Sequence, residues 1–243
     1  MRLFGLIGYP LSHSFSKKYF TDKFENEGIA GCFYELFPLQ TIEALLPLLQ
    51  KHPELEGLNV TIPYKQQVLA YLNESKIPAG LNACNCINIT GGRLTGYNTD
   101  VTGFELSIIP LLKSWHKKAL VLGNGGATAA VVFVLKKLGI DFDIVSRKKH
   151  DHSTLTYRDI NKKIIADCPL IINTTPLGMQ PDTDSCPDIP YSYITDRHLL
   201  YDLVYNPAKT LFLQKGEERG AAIKNGEEML VLQAEESWRI WNE

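Results

Sequence analysis

Leu120-Val121-Leu122 runs into Gly123-Asn124-Gly125-Gly126-Ala127, and apolar residues then recur at helical spacing through Leu138. A short apolar strand that ends in glycines and opens directly into a helix admits few folds. Gly123 permits the tight turn, Gly125 lets the backbone approach a pyrophosphate held at the positive end of the helix, and Gly126 and Ala127 keep the first helical turn slim. Such turns also join strands to helices for purely structural reasons. The flanking strand and helix lift this one toward dinucleotide binding.

The next apolar run, 142–145, ends in Ser146-Arg147-Lys148-Lys149. In sites for NAD a carboxylate at this strand tip bonds the ribose 2′-hydroxyl, whereas a nearby arginine accommodates the 2′-phosphate of NADP. No carboxylate stands here. Three consecutive cations suit a phosphate, and Arg147 can stack on adenine as well as bond the ribose 2′-phosphate. A solvated charge run is the plain alternative, and the position of the run at the strand tip favours NADP.

Short apolar runs and amphipathic helices alternate along the chain. Strands are expected over 3–8, 33–37 and 58–62, helices over 17–27, 41–50 and from Pro63 to about residue 72, and a hairpin over 83–89 and 93–97 around Gly91-Gly92. After a helix over 101–112 the pattern restarts with strands at 119–122, 142–145, 170–173, 199–204 and 221–224 and a helix over 127–138. This order predicts an α/β fold with a parallel sheet covered on both faces.

The composition removes several function classes. With 25 Lys and Arg against 27 Asp and Glu, the net charge of −2 lacks the positive excess that nucleic-acid binding demands. No apolar run approaches the ~20 residues that span a bilayer, so neither nucleic acid nor membrane is expected as a partner. The five cysteines form no metal-binding CxxC pair and read as reduced, mostly buried thiols of a cytoplasmic protein; no metal is expected. Cys84 and Cys86, two apart in the expected strand, should share one face. The apolar stretch at 1–8 is too short for an export signal.

Five polar clusters remain: Ser12-His13-Ser14-Phe15-Ser16, Asn59-Val60-Thr61-Ile62-Pro63-Tyr64-Lys65, Asn85, Asn98-Thr99-Asp100 and Gln233. Several lie where strands end, the place where ligands collect in open α/β sheets. Singly each has a bland role, with Ser16 as a helix cap, Asn98 as a turn residue and Lys65 as a surface charge. Jointly they suit a ligand rich in hydroxyl groups that also carries a carboxylate.

Taken in order, these segments resemble the shikimate dehydrogenase family, from Gly8-Tyr9-Pro10-Leu11-Ser12-His13-Ser14-Phe15-Ser16 through Asn59 to Lys65, Tyr97-Asn98-Thr99-Asp100 and Gly123 to Ala127. The resemblance continues in Asn173-Thr174-Thr175-Pro176-Leu177-Gly178-Met179, Asp202-Leu203-Val204-Tyr205-Asn206-Pro207 and Gly226-Glu227-Glu228-Met229-Leu230-Val231-Leu232-Gln233. It implies two α/β domains: a substrate-binding and catalytic domain over 1–100 and 226–243, and a Rossmann-like NADP-binding domain with a parallel sheet over 101–225. The implied reaction is the reversible, NADPH-dependent reduction of 3-dehydroshikimate to shikimate, on the route to chorismate and aromatic amino acids. The family includes monomers and homodimers.

Position by position, the resemblance assigns Ser14 and Ser16 to the substrate carboxylate with Tyr205 nearby, and Thr61, Lys65, Asn85, Asp100 and Gln233 to the ring hydroxyls. Lys65 would give or take the proton, with Asp100 orienting it. Gly123, Asn124, Gly125, Gly126 and Ala127 would hold pyrophosphate, and Ser146, Arg147 and Lys148 the adenosine phosphate. Thr174, Met179, Leu203 and Gly226 would line the ribose and nicotinamide end. Departures from the pattern are Lys17 where the family commonly has proline, Cys84 and Cys86 around Asn85, and Ser146 and Lys148 in the phosphate clamp. An NAD-dependent quinate or shikimate dehydrogenase is the near alternative; a non-catalytic sensor of shikimate is disfavoured by the retention of both Lys65 and Asp100.

Overall fold

The computed structural model describes residues 1–11, 15–148 and 154–243. Contacts divide the chain into two compact units, Met1–Thr102 with Gln233–Glu243, and Gly103–Leu232.

The first unit contains β1 (Arg2–Gly8), α1 (Phe15–Asn26), β2 (Cys32–Pro38), α2 (Leu45–Lys51), β3 (Leu55–Val60), the two-residue β4 (Glu74–Ser75), β5 (Cys86–Thr90), β6 (Arg93–Tyr97) and the start of α3 (Thr99–Ile108). The strand order is β2-β1-β3-β5-β6-β4. β1 pairs parallel with β2 and β3, but β5 runs antiparallel to both β3 and β6, so this sheet is mixed. The reversal is local: Gly91 and Gly92 both take positive φ, 56° and 76°, the pair of conformations that a tight two-residue hairpin turn demands.

Alternation along β1 builds cores on both faces. Leu3 and Ile7 enter a cluster with Leu45, Leu58 and Leu94, while Phe4 and Leu6 join Phe20, Phe24 and Trp241. A side chain at Gly57 would put its Cβ 2.3 Å from the Trp241 indole nitrogen. That nitrogen donates to the Ile87 carbonyl at 3.0 Å, which seats the C-terminal end of the chain on the sheet.

Two local expectations change. No α-helix follows Pro63: residues 62–66 form turns, and only Gln67–Tyr71 closes as a 3₁₀ helix. The Lys65 carbonyl is taken by the Cys84 N–H at 2.7 Å, a tertiary partner that competes with the helical one. Cys84 and Cys86 do not share a face, since Cys84 packs in the Leu58 cluster and Cys86 in the Phe4 cluster. The strand starts only at Cys86, so period-two alternation does not reach Cys84. All five thiols are unpaired, and only Cys186 is not fully buried.

The second unit holds β7 (Lys118–Leu122), α4 (Gly126–Lys137), β8 (Asp141–Ser146), β9 (Leu155–Thr156), α5 (Lys162–Asp167), β10 (Leu170–Asn173), β11 (Leu199–Asp202), α6 (Leu211–Glu217), β12 (Ala222–Lys224) and the start of α7 (Glu227–Trp241). Every pairing in its sheet is parallel, in the order β12-β11-β10-β7-β8-β9. The order turns at β7, whose neighbours are β8 and β10. Its carboxyl end is therefore the topological switch point, where open α/β sheets bind ligands. The expected strand over 199–204 stops at Asp202, whose carboxylate accepts the Val204 N–H at 3.0 Å and turns the chain. Among the described residues no helix is long and apolar enough to cross a membrane.

Candidate active site

In the first unit, Lys65 Nζ lies 2.6 Å from Asp100 Oδ2, with the two side chains 20% and 14% exposed. Lys65 sits in the turn after β3, and Asp100 is the second residue of α3, where the positive end of the helix favours a carboxylate. The pair is desolvated enough to hold a fixed geometry and open enough to meet a ligand. Thr61 stands just before the turn, its backbone N–H tied to the Ile7 carbonyl at 2.9 Å.

A buried polar network borders this pair. Asn85 Oδ1 accepts the Thr99 N–H at 2.6 Å, while Asn85 Nδ2 donates to the Thr99 hydroxyl at 3.0 Å. The Thr99 hydroxyl lies 3.2 Å from Ser237 Oγ and 3.4 Å from Gln233 Oε1. Ser237 Oγ in turn accepts from Asn59 Nδ2 at 3.0 Å, and Asn59 Oδ1 accepts from the Tyr34 hydroxyl at 2.8 Å. Ser16 hydrogen-bonds the same Tyr34 hydroxyl, whose pKa is pushed well up chiefly by burial and is pulled back by Ser16. One continuous chain of bonds thus joins Ser16, Asn85 and Gln233. Amides locked in this way present a defined donor or acceptor to a ligand.

Tyr34, Asn59, Thr99 and Ser237 were not among the residues assigned to the site from sequence. Ser237 had a readable signal, for it lies four residues after Gln233 and shares its helix face. Asn59 and Thr99 sit inside motifs already singled out. Tyr34, one aromatic among several on β2, carried none. Lys17 pairs with Glu35 at 2.6 Å, and Ser14 lies outside the described residues.

In the second unit the glycine turn has the form a dinucleotide demands. Gly123 takes φ +112°, and a Cβ there would lie 2.7 Å from Thr174 Oγ1, so glycine is required both by conformation and by space. Gly125 is the N-cap of α4 and supplies no capping side chain, and a Cβ at Gly125 or Gly126 would meet nothing within 4 Å. The Thr128 N–H closes on the Gly125 carbonyl at 3.1 Å, and the space beside the two glycines is open at the positive helix end, which fits a pyrophosphate. Asn124 is exposed and Ala127 half-buried in the same turn.

Thr174 donates to the Leu122 carbonyl at 2.8 Å and lies 2.8 Å from the Thr128 hydroxyl, fixing the end of β10 beside the turn. A Cβ at Gly226 would strike the Leu203 carbonyl oxygen at 2.2 Å, so these two backbones touch. Met179 is exposed and Leu203 half-buried. At the tip of β8, Arg147 and Lys148 are exposed, whereas Ser146 is buried with its hydroxyl donated to the Lys148 carbonyl. Ser146 thus shapes the turn that displays the two cations. Lys149 lies outside the described residues. Tyr205 is half-buried in this second unit, and burial raises its hydroxyl pKa.

A glycine turn at the switch point of a parallel sheet, a basic strand tip without a carboxylate, and a lysine–aspartate pair in a separate α/β unit define a two-domain oxidoreductase of the nicotinamide-nucleotide class. A family model described as the shikimate dehydrogenase substrate binding domain matches residues 6–87. The chain is 39% identical to the shikimate dehydrogenase (NADP(+)) of Clostridium beijerinckii, over 100% of its own length and 93% of the relative. Among solved structures, it matches the shikimate 5-dehydrogenase of Thermus thermophilus in complex with NADP(H) and shikimate at 28% identity and a TM-score of 0.86, covering 99% of this chain and 93% of that one. The quinate dehydrogenase of Corynebacterium glutamicum in complex with NAD matches at 26% identity and a TM-score of 0.87, covering 99% and 93%. This chain belongs to the shikimate dehydrogenase family.

Proposed function

We propose that the chain reduces 3-dehydroshikimate to shikimate with NADPH, and runs the reverse reaction with NADP. The observation that carries the reading is the Lys65–Asp100 pair at 2.6 Å, which couples a proton carrier to a fixed carboxylate. NADPH supplies the hydride that reaches the carbonyl carbon. Lys65 Nζ delivers a proton to the carbonyl oxygen as it becomes an alcohol, and takes one from the hydroxyl in the oxidative direction. Asp100 holds Lys65 in place through the reaction.

Ser14 and Ser16 receive the substrate carboxylate with Tyr205, and Thr61, Asn85 and Gln233 hold ring hydroxyls. Their support is that Ser16, Asn85 and Gln233 belong to one hydrogen-bonded network, which fixes their polar atoms before a ligand arrives. The second unit holds the cofactor: Gly123, Asn124, Gly125, Gly126 and Ala127 the pyrophosphate, Ser146, Arg147 and Lys148 the 2′-phosphate side, and Thr174, Met179, Leu203 and Gly226 the nicotinamide end. The basic tip of β8 favours NADP over NAD. Five unpaired thiols suit a reducing cytoplasm. Oxidation rates with shikimate and quinate, each with NADP and NAD, test the assignment.

A further inference from the structure

Asp202 is the last residue of β11 and is completely buried. Among the described residues no charged side chain bonds it. Its carboxylate instead accepts three hydrogen bonds from three different segments. Oδ1 accepts from Asn173 Nδ2 at 2.9 Å, at the end of β10, and from the Val204 N–H at 3.0 Å. Oδ2 accepts from the Thr210 hydroxyl at 2.6 Å, where Thr210 is the N-cap of α6.

The bonds continue outward into the loops that bear the nicotinamide-end residues. Asn173 Oδ1 accepts from the Thr175 N–H at 3.0 Å and the Thr175 hydroxyl at 2.6 Å, which sets the turn after Thr174. The Asn173 carbonyl accepts the Leu203 N–H at 3.0 Å, and the Val204 carbonyl accepts the Gly226 N–H at 3.2 Å. A Cβ on Gly178, the neighbour of Met179, would lie 3.2 Å from Thr210 Cβ. Thr174, Met179, Leu203 and Gly226 thus all hang from segments tied to one carboxylate. A group with acceptors alone suits a place where three donors converge.

We propose that Asp202 is a positioning residue for the cofactor, fixing the loops after β10 and β11 in the arrangement that receives the nicotinamide end. This rests on the cofactor reading of the second unit. Ala at this position leaves three donors unmet in a buried space, and the loops can answer only by rearranging. Asn is the conservative replacement: its oxygen keeps Asn173 and Val204, and its NH₂ can face the Thr210 hydroxyl, which is able to accept.

The test is calorimetric titration of NADP and, separately, of shikimate into wild type, Asp202→Ala and Asp202→Asn. Asp202→Ala should weaken NADP about tenfold or more, in line with the loss of a buried polar contact. Shikimate should weaken less than NADP, because Ser16, Thr61, Lys65, Asn85, Asp100 and Gln233 lie in the other unit and, of the assigned substrate residues, Tyr205 alone stands on the loop after β11. Asp202→Asn should restore most of the NADP affinity. Unchanged NADP affinity in Asp202→Ala, or equal weakening of both ligands, overturns the positioning role alone. A wild type that fails to bind NADP overturns the cofactor reading and this role with it. If Asp202→Ala does not fold, Thr210→Val removes one donor at nearly constant shape: a severalfold loss of NADP affinity is expected, and an unchanged affinity overturns the role.

Discussion

Lys65 Nζ and Asp100 Oδ2 stand 2.6 Å apart although 35 residues separate them in the chain. Two tertiary contacts bring them together. The Lys65 carbonyl is pinned by the Cys84 N–H, and the Thr99 N–H just before Asp100 is pinned by Asn85 Oδ1. The adjacent residues Cys84 and Asn85 therefore join both ends of the pair.

If Lys65 carries the proton, Lys65→Ala lowers kcat by about 10² or more, the usual cost of a lost acid–base group. KM for shikimate should change modestly, since other side chains hold the ring. Steady-state kinetics check this, and a variant with full turnover contradicts the role.

Thr99→Val removes the hydroxyl shared by Asn85, Gln233 and Ser237 while keeping the backbone N–H bond to Asn85 Oδ1. Buried partners left unmet cost about 1–3 kcal/mol. A lower denaturant midpoint and a severalfold higher KM for shikimate are expected, with NADP affinity unaltered. Loss of NADP affinity instead would show that the network does not serve the substrate.

Arg147 at the exposed tip of β8 is expected to grip the 2′-phosphate. Arg147→Ala should raise KM for NADP by about tenfold or more, the scale of a charged hydrogen bond, and raise KM for NAD far less. Equal effects on both cofactors would refute a phosphate contact.

Burial raises the Asp202 carboxyl from 3.8 to about 6, against the pull of its bonds from Thr210, Val204 and Asn173. The folded chain therefore keeps a proton that the unfolded chain releases between about pH 4 and 6, so this group favours the fold at low pH and the benefit fades as pH rises through about 6. Asp202→Asn has no such titration. The stability of the variant relative to wild type should climb between about pH 4 and 7 by up to about 3 kcal/mol, at ~1.36 kcal/mol per pH unit. Urea melts at both ends of that range measure it; a constant difference contradicts the raised pKa.

The parallel sheet of the second unit was legible because βα alternation and a glycine turn are local signals, and most of its strands fall within a residue or two of expectation. The segment after Pro63 was not, because the Lys65 carbonyl takes a partner about twenty residues away rather than its helical one. The same limit governs the site. Lys65, Asp100, Asn85 and Gln233 stand in motifs, whereas the contribution of Tyr34 exists only through Asn59 and Ser16, to which no spacing in the sequence points.

The central claim is tested most directly by initial rates of oxidation with shikimate and with quinate, each with NADP and with NAD. The account predicts the highest kcat/KM for shikimate with NADP, with a clear loss on replacing either substrate or cofactor. A preference for NAD would contradict the reading of Arg147 and Lys148, and a preference for quinate would contradict the assignment of the substrate.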